Sequence, residues 1–166
     1  MQAGDDNNGG IRMRFHQVKE LVHWAADYHA RLASLYTQLA VSGVDDRVRM
    51  ALDYLAERER KLQSDLAGYL DDGSDHTGVL EAWFDDPSDF PHAPVLERLP
   101  EGVDSESVQG VLATALTAHR TLQDLYAHRS ELAGGSDERA FFDALAAGHE
   151  AEVRRIVRDM QRLEDY

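Results

Sequence analysis

Five ionisable residues interrupt the apolar stripes of otherwise amphipathic segments. They are His29 between Ala25 and Leu32, Glu59 between Leu55 and Leu62, His119 between Ala115 and Leu122, and His149 with Glu152 between Leu145 and Ile156. Steps of three and four residues share one helical face, so these polar groups are directed where their neighbours are hydrophobic. Three imidazoles with one or two carboxylates suit a single Zn²⁺, Fe²⁺ or similar ion. The alternative is a metal-free layer in which the same groups hydrogen-bond one another. Left unsatisfied, such a layer would cost several kcal/mol.

The elements that must carry these residues are four long helices. The first runs from about Met13, with Val18, Leu21, Val22, Ala25, Tyr28, Leu32, Leu35, Tyr36 and Leu39 inward. Ser42-Gly43 ends it, and Asp45 or Asp46 caps the second helix, which buries Val48, Leu52, Leu55, Leu62, Leu66 and Tyr69. A third starts near Ser105 or Ser107 and places Val108, Val111, Leu112, Ala115, Leu122, Leu125 and Tyr126 inward. Gly134-Gly135 stops it and Ser136 is expected to cap the fourth, which turns Phe142, Leu145, Ile156, Met160 and Leu163 inward. No segment shows strand alternation, so the expected class is all-α.

Residues 71–104 form a long crossover between the two helical pairs. It holds all four prolines, Pro87, Pro91, Pro94 and Pro100, which confines long helices to its flanks. A helical turn over Val79–Phe84 is expected to lay Leu80, Trp83 and Phe84 onto the helices. The DDGSD run there lacks the acid a calcium loop needs at its twelfth place, which is Ala82, and reads as a solvated loop. Residues 1–12 are polar and glycine-rich and read as a disordered tail before a single domain over 13–166.

Helix rise places the five polar residues at one level. His29 and Glu59 each lie about fourteen residues from the first hairpin loop, roughly 20 Å along the axis, and His119 and His149 flank the second loop similarly. A shift of ninety positions also superimposes the two hairpins without a gap. It sets Val18 on Val108, Ala25 on Ala115, His29 on His119, Leu32 on Leu122 and Tyr36 on Tyr126. The paired His…Tyr with one seven-residue spacing points to a duplicated hairpin.

This duplicated hairpin with a long crossover and inward mid-helix ligands resembles the ferritin-like superfamily, nearest to rubrerythrin-type domains. The resemblance spans Met13 to Tyr166 and implies a four-helix bundle with a metal centre among its helices. The family pattern is a Glu from each of the first and third helices and Glu-x-x-His from each of the others. Here His29 and His119 stand seven residues before Tyr36 and Tyr126, where the family carries acids. Glu59 matches the second-helix Glu, but Leu62 stands where its histidine belongs. In the fourth helix the order is reversed, as His149-x-x-Glu152. An imidazole cannot bridge two metals as a carboxylate does, so di-iron oxygen chemistry is not expected. The ligand set implied is His29, Glu59, His119, His149 and Glu152 around one ion, iron or zinc, with Tyr36 and Tyr126 as supporting core residues. The second expectation is a metal-free scaffold of this type working in protein association, with Trp83, Phe84 and Phe90 in the crossover. Paired bundles are frequent among such proteins, so a homodimer fits either reading.

Composition narrows the remaining classes. The 166-residue chain has 31 acidic and 17 basic residues, for a net charge of −14, which disfavours nucleic acid and anionic lipid as partners. It has no cysteine, which removes disulfide and thiol chemistry. No apolar run has the length of a membrane span or signal core, so a cytoplasmic protein is expected. No nucleophile stands beside a base and no phosphate loop is present, so no catalytic residue is assigned. His16 and His23, His76 and His92, and His128 read as solvated, and Glu57 and Glu150 as surface partners of Arg58, Arg60 and Arg154.

Overall fold

The computed structural model describes residues 15–71, 77–84 and 103–165. The tail at 1–12, most of the crossover with its four prolines, Phe90, and His76 and His92 lie outside the described residues. Among the described residues there are four long helices and one short one: α1 (Val18–Ala40), α2 (Asp46–Leu70), α3 (Thr77–Leu80), α4 (Val108–Glu131) and α5 (Ser136–Glu164). Among the described residues the only β feature is an isolated antiparallel bridge between Gln17 and Trp83. The protein is therefore all-α. No helix among the described residues is long and apolar enough to cross a membrane.

Local chemistry fixes the helix ends. Gln17 is extended, with φ −122° and ψ 152°, so α1 begins at Val18 rather than near Met13. The Glu20 carboxylate reaches back to accept from the backbone N–H groups of His16 and Gln17, at 2.6 and 3.2 Å. Gly43 takes the left-handed conformation at φ 88° in the turn to α2, where the Asp45 carboxylate accepts from the Val48 N–H at 2.9 Å. Ser107 caps α4 by accepting from the Gly110 N–H. The expected cap of the last helix moves by one residue. Gly135 is the N-cap and Ser136 the first helical residue, while the Glu138 carboxylate accepts from the Gly134 N–H at 2.9 Å.

The repeat is visible in these boundaries. Val18 and Val108 begin α1 and α4, and Asp46 and Ser136 begin α2 and α5, each pair ninety positions apart. Helices α1 and α2 pack as one hairpin and α4 and α5 as another. The two share one core that includes Leu21, Leu32, Leu52, Leu55, Leu122, Leu125, Phe142 and Ile156. Leu35, Leu39, Leu62, Tyr69, Leu112, Leu145 and Leu163 are only half-buried at its rim.

The segment after α3 departs from expectation at Trp83, which is 68% exposed, whereas Leu80 and Phe84 are buried. The bridge explains this. The Val18 N–H donates to the Ala82 carbonyl and the Phe84 N–H to the His16 carbonyl, at 3.1 and 2.8 Å, which holds 82–84 extended against 16–18. Neighbouring side chains of an extended segment point to opposite sides, so seating Phe84 turns Trp83 outward.

Candidate functional site

Helices α1, α2 and α4 bring three of the five candidate residues into direct contact. Glu59 on α2 is fully buried, and its two oxygens are divided between two histidines. His29 Nδ1 of α1 lies 2.5 Å from Oε2, and His119 Nε2 of α4 lies 2.7 Å from Oε1. Burial by itself would raise the Glu59 carboxyl pKa, but His119 and His29 outweigh it and hold the group well below the usual carboxylate range. An ionised carboxylate only accepts, so both imidazoles donate to it. That fixes which ring nitrogen of each carries the shared proton.

His149 of α5 completes the layer through its ring faces. It stacks on His119 with centroids 4.7 Å apart and lies 5.7 Å from His29. Burial, followed by the neighbouring His119 and His29, pushes its pKa well below the ordinary histidine value, so the ring is neutral. Three imidazole nitrogens at this level, His29 Nε2, His119 Nδ1 and His149 Nε2, are buried without a hydrogen-bond partner. The hydroxyls of Tyr28, Tyr36 and Tyr126 are in the same condition, and burial raises all three above the usual phenol pKa. Tyr36 and Tyr126 pack in the core, as their two-turn offset from the histidines predicts.

Glu152, the fifth candidate, is engaged elsewhere. Arg58 of α2 grips it with a bidentate pair, Nε to Oε1 at 2.6 Å and Nη2 to Oε2 at 2.7 Å. The expectation of a surface pair does not hold for Arg58. Its guanidinium is in fact half-buried, because Glu152 turns toward α2 and offers the planar match that a bidentate arginine favours. Arg154 pairs with Glu150 on the surface as expected, whereas Arg60 donates to the Thr37 hydroxyl instead of a carboxylate. Tyr54 donates to the Asp159 carboxylate at 2.7 Å and ties α2 to α5. Its sequence signal is weak, because an aromatic at the rim of an apolar stripe reads simply as packing.

The donor set can be tested against a metal directly. Three imidazoles carry a nitrogen free of hydrogen bonds, which is the chemistry a transition metal requires. The carboxylates expected beside them are taken up by protein partners, Glu59 by two histidines and Glu152 by Arg58. As the side chains stand, no three His, Asp or Glu groups among the described residues are arranged to hold an ion. Beside the layer, a cavity of about 330 Å³ opens between α2 and α5. Arg58, Leu62 and Leu66 line one wall, and Leu145, His149 and Glu152 the other.

Compared with family models, with curated proteins and with solved structures, this chain matches none. The functional reading therefore rests on the site itself.

Proposed function

We propose that this chain is a ferritin-like four-helix bundle that takes up one transition-metal ion, iron or zinc, at its core histidines. The observation that supports this reading is the trio of buried ring nitrogens without partners, His29 Nε2, His119 Nδ1 and His149 Nε2. A buried polar atom left unpaired costs about 1–3 kcal/mol, and an ion taken up among the three rings would relieve all three. Glu59 then acts as the carboxylate that orients two ligand histidines, a common partnership at metal sites. Relative to the five-residue set expected from sequence, His29, His119 and His149 become the ligands. Glu59 orients them, and Glu152 anchors Arg58. An ion held this way would supply Lewis-acid chemistry or, if iron, one-electron chemistry.

Elemental analysis of tag-free protein purified without chelator tests this. Near-stoichiometric metal that is lost in His119→Ala and kept in Glu152→Gln supports it. Less than about a tenth of an equivalent, even after anaerobic incubation with Fe²⁺ and Zn²⁺, overturns it.

A second reading is a metal-free scaffold of the same type acting in protein association. Two observations favour it: the two candidate carboxylates, Glu59 and Glu152, are satisfied by protein groups, and Trp83 is 68% exposed. Loss of self-association or of a captured partner in Trp83→Ala, at unchanged stability, is its expected signature.

A further inference from the structure

The cavity between α2 and α5 shares His29 and His149 with the metal reading, but its outer walls are built from residues that reading does not use. Positions ninety apart form its opposite walls: Arg58 faces the wall that carries Gly148, Leu62 that of Glu152, and Asp65 that of Arg155. Where one repeat supplies an arginine the other supplies a glycine, and a Cβ added at Gly148 would meet nothing within 4 Å.

Its polarity is graded from floor to mouth. Three buried polar atoms of lining residues have no partner, namely His29 Nε2, Tyr126 Oη and His149 Nε2. Leu62, Leu66 and Leu145 supply apolar wall above them. Two of the three lining cations are neutralised, Arg58 by Glu152 and Lys61 by Asp65. Arg155 is exposed and has no ion-pair or hydrogen-bond partner among the described residues. One uncompensated positive charge in a chain of net charge −14 selects for a single negative charge on a ligand rather than two. At about 330 Å³ the cavity sits at the small end of ligand sites, which favours a compact ligand.

We infer that the α2–α5 cleft is a binding site for a small monocarboxylate. Its carboxylate pairs with Arg155, and its short apolar body lies along Leu62, Leu66 and Leu145. The inference does not depend on a bound metal, because every group it uses belongs to the chain.

The test is calorimetric titration of chelator-treated, metal-free protein with butanoate, with butan-1-ol and butylammonium as matched probes. Saturable binding of butanoate alone is expected, weakened at least tenfold in Arg155→Gln. Gly148→Leu, which fills the cleft from an open helix position, is expected to abolish binding while circular dichroism and the melting temperature stay unchanged or rise. Three results would each overturn the proposal: no saturable butanoate binding, equal binding of the alcohol, or affinity unchanged in both variants. Loss of metal uptake with butanoate binding intact would separate failure of the metal reading from failure of this one.

Discussion

His29 and His119, ninety positions apart and at matching places in the two repeats, hold opposite oxygens of one carboxylate, that of Glu59. The repeat-equivalent of Glu59 is His149, which contributes a ring instead of a second carboxylate. One anion thus serves two imidazoles, with the third stacked beside them, and the layer has a single electrostatic centre. Removing that centre has a larger consequence than removing any one ring.

Glu59→Ala leaves two buried imidazoles without an acceptor and opens a cavity, and a loss of about 3–5 kcal/mol in urea unfolding is expected. Glu59→Gln retains one carbonyl acceptor but turns its NH₂ toward the other ring, so a smaller loss of about 1–3 kcal/mol is expected. Equal losses in the two variants would show that the volume of Glu59 contributes little, and no loss in Glu59→Gln would show that its charge and second acceptor contribute little.

The Arg58–Glu152 pair is bidentate and partly buried, and it links the two hairpins through α2 and α5. Arg58→Leu strands the Glu152 carboxylate, which is 7% exposed, and should cost about 2–4 kcal/mol. The double variant Arg58→Leu with Glu152→Leu should recover most of that loss. A double-mutant cycle by denaturant unfolding measures the coupling directly.

Asp159 accepts from the Tyr54 hydroxyl, and this bond, ahead of nearby Arg158 and Arg162, draws its pKa below the usual aspartate value of 3.8. A carboxyl lowered on folding contributes stability that is complete above its unfolded pKa and is lost as pH falls through the folded value. The contribution, about 1 kcal/mol for a partly exposed charged hydrogen bond, should therefore persist at neutral pH and fade below about pH 4. Tyr54→Phe should lower stability at pH 7 and leave it nearly unchanged at pH 2.5 in thermal melts.

Trp83 and Phe84 are adjacent yet oppositely disposed, so their truncations should diverge. Trp83→Ala should shift stability by less than about 0.5 kcal/mol, because the indole is mostly solvated. Phe84→Ala removes a ring that stacks on Phe142, 6.1 Å away, and that lies beneath the Arg129 guanidinium at 3.9 Å. A cost of about 3–4 kcal/mol is expected for it in the same assay.

Much of this architecture follows from local chemistry. The apolar stripes, the glycine at φ 88° and the caps at Asp45 and Ser107 all arise from residues within a few positions of one another. The same periodicity places His29, Glu59, His119, His149 and Glu152 on inward faces, and all five are buried. Spacing along a helix defines a height and a face but not a partner. The tertiary structure alone decided that Glu59 would serve His29 and His119 while Glu152 turned to Arg58, across separations of 30, 60 and 94 residues. It likewise decided that Trp83 would point to solvent, because pairing of 82–84 with 16–18 sets the pleat of that segment. Each of these choices depends on the distance and angle between elements remote in the chain, and packing fixes those quantities where helical periodicity does not.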